Sequence, residues 1–186
     1  MSTNKPSHKL ELVMQSMITK TRDYFETEHE TCLADVDLVD SPDLLDMTAI
    51  VGFGGMVNLW AVFSFQSSLF NAVYAWMTVG FEDRPEDVQR HHQAAIGELV
   101  NIILGHCTRD FGHLDSQAIP MTPPVILESD RVVSKMNRTE FLRHCLNSRY
   151  GCLNISLVGP TESHLGAFNL DSPVDRLLSS LNRYVH

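Results

Sequence analysis

MTAIVGFGGMVNLWAVFSF, Met47 to Phe65, sets two apolar, β-branched runs on either side of a glycine pair. Runs of this kind bounded by turn residues read as strands. Met47–Phe53 is one strand and Met56–Phe65 its return, with Gly54-Gly55 as a tight turn that can supply positive φ. The GFGG within it lacks the G-x-G-x-x-G spacing of a dinucleotide loop. The stretch therefore reads as a hairpin, and a hairpin makes the sheet antiparallel at this point.

Upstream, Leu10, Val13, Met14, Met17, Ile18, Thr21 and Phe25 recur at helical spacing over residues 9 to 28. Residues 31 to 39 alternate weakly, as a strand does, and end in the acidic turn DSPD at 40 to 43. Downstream, Gln66 to Val79 resumes helical spacing with Leu69, Phe70, Val73, Trp76 and Met77. After the loop Gly80 to Asp87, whose acidic end favours a helix start, a long helix is expected from about Pro85 to Phe111. His113 to Pro124 is a Pro-rich connection, and Val125–Val133 a strand. Residues 137 to 147 fit two patterns: a capping box on Asn137 and Glu140, and the strand alternation of Leu142, His144 and Leu146. Cys152–Val158 and His164–Leu170 read as strands joined by GPTES, and Ser172-Pro173 opens a short final helix. Hairpin strands mixed with helices predict an α+β fold, a mostly antiparallel sheet packed against long helices. One domain is expected over residues 1–186, with 1–8 as a flexible N-terminus.

The chain has 186 residues, 44% of them apolar and 20% charged, enough for one domain with a real core. Its formal net charge of −9 argues against nucleic acid, which needs a basic face, and against an acidic membrane surface. The polar start MSTNKPSHKLELVMQ is unlike a signal peptide, and no apolar run reaches the length of a membrane span. Cys32, Cys107, Cys145 and Cys152 are scattered without a CxxC pair, usage that suits a reducing cytoplasm. No pair of ligands has zinc-site spacing. Adjacent residues on a helix point about 100° apart, so His91 and His92 read as two solvated histidines rather than ligands. Trp60 and Trp76 read as core, as does Cys107; Asp35 and Asp37 read as the wet side of their strand. There is no P-loop and no G-x-S-x-G elbow.

On the central helix, Ala95, Ile96, Leu99, Val100, Ile102 and Ile103 gather on one broad side, the expected core face. Glu98 and Asn101 fall about 60° from each other on the opposite side, Gly105 about 20° from Glu98 and Ala94 about 40° from it. The outer stripe thus sets a carboxylate and a carboxamide between the smallest side chains. An interior glycine costs a helix about 1 kcal/mol relative to alanine, and asparagine is a mediocre helix former. A plain solvated face would more often carry Lys, Glu and Arg. Small residues flanking polar ones suit a surface on which another molecule's backbone lies close; the alternative is a plain exposed face, with Gly105 allowing close packing.

The pattern E-x-x-N-x-x-x-G, carried by Glu98, Asn101 and Gly105, resembles that of the CheC/CheX/FliY family of chemotaxis phosphatases. The hairpin and helix over Met47–Val79 look like the family's strand–strand–helix entry. The segment IPMTPPVI looks like its return to the sheet, and Phe141–Leu170 like its final strands, so the likeness runs from about Leu10 to Leu170. A single copy of the motif is similar to CheX rather than to two-site CheC. One position departs: the family often has Asp or Ser four residues before the glutamate, where this chain has Ala94. The resemblance implies a phosphatase acting on the aspartyl phosphate of a CheY-type response regulator, with Asn101 orienting the attacking water and Glu98 docking to the receiver's lysine. Ala94, Gly97 and Gly105 would line the contact. It implies no cofactor or metal held by this chain, Mg²⁺ being supplied by the receiver, and a homodimer joined through its sheets, for which Cys152–Val158 and His164–Leu170 are the candidate edges. The alternative is a non-catalytic receiver-binding or flagellar-switch-like module with the same fold.

Overall fold

The structure, a computed structural model, describes residues 8–37, 45–53, 59–80, 87–112, 120–128 and 139–160. In chain order they form α1 (His8–His29), β1 (Ala34–Val36), β2 (Met47–Phe53), β3 (Leu59–Phe65), α2 (Ser67–Met77), α3 (Val88–Gly112), β4 (Val125–Glu128), β5 (Thr139–Ser148) and β6 (Gly151–Pro160). The strands make one sheet in the order β1-β5-β6-β3-β2-β4, and each neighbouring pair is antiparallel. The expected α+β fold is present.

Side-chain alternation explains the two layers. Met47, Ala49 and Val51 of β2 lie on one face with Ala61, Phe63 and Phe65 of β3, Leu153, Ile155 and Leu157 of β6 and Leu146 of β5. These residues share a core with Met17 and Phe25 of α1, Leu69 and Val73 of α2, and Ile96, Leu99 and Ile103 of α3. The three helices therefore cover that face. The other face carries Thr48, Val62, Ser64, Asn154 and Ser156, all buried as well. Two of its hydroxyls are satisfied locally: those of Thr48 and Ser64 lie 2.9 Å apart, and the Leu45 amide donates to Ser64 Oγ at 2.6 Å.

The β2–β3 hairpin forms, but with a different register from the one expected. Phe53 pairs with Leu59, so five residues separate the strand ends and the return begins at Leu59 rather than Met56. A two-residue turn at Gly54-Gly55 would pair Phe53 with Met56 and turn Asn58, Trp60 and Ser64 toward the helices. The longer connection sends Ala61, Phe63 and Phe65 there instead, and a one-face slip of this kind exchanges an apolar face for a polar one. The same register corrects Trp60. It lies on the face away from the helices, near the strand end, and is 45% exposed, while Trp76 does pack against the core.

Residues 139–148 take the strand reading, because Leu142 and Leu146 pair with Leu157 and Leu153 of β6 on the core face. The β5–β6 turn is tight. Gly151 has φ +131°, and a Cβ there would stand 2.6 Å from Ser68 Oγ, so the position requires glycine. β6 lies between β5 and β3 with both edges paired, so it offers no free edge to a second chain; among the described strands the outermost are β1 and β4. The expected strand at 164–170 and the final helix from Ser172 lie outside the described residues, as do residues 1–7. α2 begins where Asp46 Oδ2 accepts hydrogen bonds from the Ser67 amide, 2.7 Å, and hydroxyl, 2.6 Å, which hold the Asp46 carboxyl below its usual value.

Candidate functional site

The site is built on α3, and four sets of contacts fix that helix from its first turns to its last. Gln89 Nε2 donates to Glu128 Oε2 of β4 at 2.9 Å, and Gln93 Nε2 to Glu128 Oε1 at 3.0 Å. Both bonds pull the Glu128 carboxyl below its ordinary range, Gln89 first. One turn further on, Gly97 faces Pro124, whose Cβ and Cγ would lie 3.9 Å from a Cβ on the glycine. On another side, His92 sets its ring edge-on to Phe70 at 4.7 Å and to Tyr74 at 3.9 Å between centroids, both on α2. His91 and His92 are thus half-buried rather than solvated, and His92 works as a packing residue. Toward the C-terminus, Cys107 Sγ lies 4.0 Å from the Ser16 carbonyl oxygen of α1.

The inward face of α3 is close to the expected one. Ala95, Ile96, Leu99, Val100 and Ile103 are buried, together with Leu104 and Cys107; Ile102 is only half-buried. The outward stripe is also where the helical repeat puts it. Ala94, Glu98 and Asn101 are exposed, and Gly97 and Gly105 are half-buried. Glu98 and Asn101 stand on adjacent turns, about 60° apart around the axis. Around a Cβ placed on Gly105 there is no atom within 4 Å. The glycine therefore answers no packing need within the described residues.

Two features of the site were not legible as site features. Pro124 lay in a Pro-rich connection whose course the sequence does not reveal. Tyr24 of α1 stands outside the apolar repeat that marks that helix. Its phenol is raised in pKa, first by burial and then by the carboxylates of Glu28 and Glu98. Chemically, the arrangement offers one anionic acceptor and one side chain that both donates and accepts, held on a rigid helix and open to a partner. Among the described residues, no group of three or more His, Cys, Asp or Glu side chains is placed to hold a metal ion. No helix among them is long and apolar enough to cross a membrane.

Comparison with known proteins bears on the same region. No curated protein matches the chain closely in sequence. Solved structures share the fold. A chemotaxis protein CheX from Desulfovibrio desulfuricans superposes with TM-score 0.63 at 16% identity, over 79% of this chain and 98% of that one. The CheX of a CheX–CheY–BeF3–Mg²⁺ complex from Borrelia burgdorferi gives TM-score 0.61 at 17% identity, over 81% and 96%. Thermotoga maritima FliY gives 0.54 at 10% identity, over 97% and 96%. At these identities the likeness concerns the fold. The sequence model of the family described as chemotaxis phosphatase CheX matches residues 47–142, just over half of the chain and the span that holds the hairpin, α2, α3 and the outward stripe. This chain belongs to the chemotaxis phosphatase CheX family.

Proposed function

We propose that this chain is a phosphatase that hydrolyses the aspartyl phosphate of a CheY-type response regulator. The observation that carries the reading is the exposure of Glu98 and Asn101 on adjacent turns of a helix whose other side is locked in the core. In phosphoryl transfer the protein does little covalent chemistry; positioning and electrostatics suffice. Asn101 cannot act as a base near neutral pH, but its amide can hold a water for in-line attack by donating and accepting at once. Glu98 pairs with the receiver's lysine and fixes α3 in the cleft. Its negative charge suits a cation, not the phosphoryl oxygens. Mg²⁺ and the lysine belong to the receiver in this reading, so the chain needs no cofactor of its own. Ala94, Gly97 and Gly105 keep the surface low enough for the receiver's loops to approach. The solved complex of the Borrelia CheX with CheY supports a receiver of that class as partner. A homodimer completes the reading, formed through an outer strand of the sheet, β1 or β4.

The test is release of phosphate from a phosphorylated receiver domain. Asn101→Ala lowers turnover by about 10²-fold or more, the loss typical of a positioned polar group, while receiver binding survives. Glu98→Ala weakens binding as well as turnover. Equal rates for wild type and Asn101→Ala end the assignment. One observation favours a second reading, a non-catalytic receiver-binding module: Ala94 stands where the family often has Asp or Ser. Receiver binding without any phosphate release is its signature.

A further inference from the structure

The register of the chain against β2 slips by one residue just before β4 begins. Within β4 the pairs are Glu128 with Met47, Leu127 with Thr48, Ile126 with Ala49 and Val125 with Ile50. Further back, the Thr122 amide donates to the Gly52 carbonyl oxygen at 2.9 Å and Met121 bridges Phe53. From Ile50 to Phe53 is three steps along β2, but from Val125 back to Met121 is four. The extra residue makes a β-bulge in which Pro123 and Pro124 together oppose Val51. Side-chain directions agree. Val125 pairs with Ile50 on the face away from the helices. Thr122 lies on that face too, since a Cβ on Gly52 would meet both Thr122 Cγ2, at 3.2 Å, and Trp60 Cζ3, at 3.3 Å. Alternation counted from Thr122 puts Pro123 on the helix side, and counted from Val125 it puts Pro124 there as well. Pro124 is half-buried against Gly97, while Pro123 is exposed.

The outward stripe of α3 comes to the same spot. Gln89 and Gln93 meet Glu128, and Gly97, four residues on, meets Pro124. The helix therefore runs on past Gly97 in the direction in which the strand runs back toward Pro123. Asn101 is the next member of that row of the helix, about 6 Å along the axis and about 40° further round, and it is exposed. We propose that Pro123 is a specificity-determining contact for the receiver: the bulge holds its ring as a rigid apolar ledge beside the Asn101 side of α3, and an apolar side chain of a receiver loop packs on it as the helix enters the cleft. This rests on the phosphatase reading of α3. Two adjacent prolines have both φ angles fixed, and the second restricts ψ of the first. Residues 121–124 are also tied to β2, the Gly52 amide donating to Thr122 Oγ1 at 2.9 Å. A ledge so held loses little freedom on binding. Its ring carries neither donor nor acceptor, so a receiver that presses a charged or polar group against it strips that group of water without return.

The experiment uses the full chain and a CheY-type receiver domain phosphorylated with acetyl phosphate, with turnover counted per folded molecule. Pro123→Asp is expected to raise the receiver KM about tenfold or more, as a charge pressed into an apolar contact does, with kcat nearly unchanged. Pro123→Leu keeps an apolar surface and is expected to hold KM within about threefold of wild type. Val125→Asp adds the same charge two residues away on the opposite face of the sheet, and is expected to change KM less than about twofold. A KM for Pro123→Asp equal to that of wild type, a KM for Val125→Asp or Pro123→Leu as high as that of Pro123→Asp, or a fall in kcat in place of the rise in KM overturns the contact. Asn101→Ala is run beside them. If it lowers turnover while Pro123→Asp leaves KM as it was, the Pro123 inference fails alone; if wild type and Asn101→Ala release phosphate equally, the reading of the whole site fails and the ledge with it.

Discussion

The two sides of α3 obey different rules. Ile96, Leu99, Val100, Ile103 and Leu104 show no exposed surface at all, and each touches helix or sheet residues of the same core. Ala94, Glu98, Asn101 and Gly105 share the helix but have almost no internal reason for their identity. A Cβ on Gly105 would meet open space, and the outward asparagine lowers helix propensity without a compensating contact among the described residues. A residue explained by packing shows its worth in stability. A residue that costs stability and packs against nothing has to show its worth elsewhere, and a partner's surface is where such a cost can be recovered.

The largest effect belongs to the inward side. Leu99→Ala removes a fully buried side chain and is expected to cost roughly 3–5 kcal/mol, the transfer free energy plus the cavity left in a closely packed core. Denaturant titration measures it, and a cost under about 1 kcal/mol would mean that the inward face is not packed as described. The outward side should invert this pattern. Asn101→Ala, with its expected loss of about 10²-fold in receiver dephosphorylation, should leave the unfolding midpoint unchanged or slightly raised, since alanine is the better helix former. A large fall in stability would show that Asn101 has an internal role and belongs with the other face.

Gly105→Ala sharpens the contrast because the two readouts should move in opposite directions. The added methyl fits the free chain and stiffens the helix, so stability rises by up to about 1 kcal/mol, or roughly 2–4 °C in melting temperature for a chain of this size. Receiver turnover falls roughly tenfold, the order expected when a group is forced into a close-packed contact. A variant both more stable and fully active would leave the glycine without any function.

Much of this division was legible in the sequence, because a repeat of 3.6 residues marks a long helix and both of its faces at once. Of the candidate residues, Asn101 and Gly105 stood out because they break the rules of the exposed face that carries them, and Glu98 by its spacing from the two. What stayed hidden was non-local. Nothing in a single sequence says that β1 pairs with β5, or that β6 lies between β5 and β3. The hairpin was visible, but its register was not, since a glycine pair signals a turn without fixing the loop length, and the register is what puts Trp60, read as core, on the other face. Residues 139–148 carried both a capping box and an alternation, and only the pairing of Leu142 and Leu146 with β6 decides between them. Pro124 lies 19 residues beyond Gly105, in neither a helical nor a strand repeat with the motif, so its nearness to α3 follows from the packed structure alone.

The smallest effect tests the contrast from its other end, with an exposed polar residue that does have internal partners. Asp35 is 64% exposed on β1, yet its Oδ1 takes His144 Nε2 of β5 at 2.5 Å and also Arg22 Nη2 of α1. Arg22 Nε donates to the Leu33 carbonyl oxygen at 3.2 Å, so the cluster ties a three-residue edge strand to a helix and to the sheet. The hydrogen bond from His144, with Arg22 adding to it, lowers the Asp35 pKa against a smaller opposing effect of burial. A carboxyl whose folded pKa is depressed stabilises the fold above its unfolded value and loses that contribution as pH falls through the folded one. Asp35→Asn should therefore cost less than about 1 kcal/mol near neutral pH, because exposed pairs are screened by solvent. The difference from wild type should shrink as pH drops below about 4, the unfolded value, and vanish once pH lies below the depressed folded one. Thermal unfolding followed across pH measures this, and a gap that stays constant into acid would show that charge is not what Asp35 contributes. Its receiver turnover should simply follow the folded fraction. An exposed polar group that affects stability alone, set beside Asn101 that affects turnover alone, separates partner-directed residues from merely surface ones without reference to any relative.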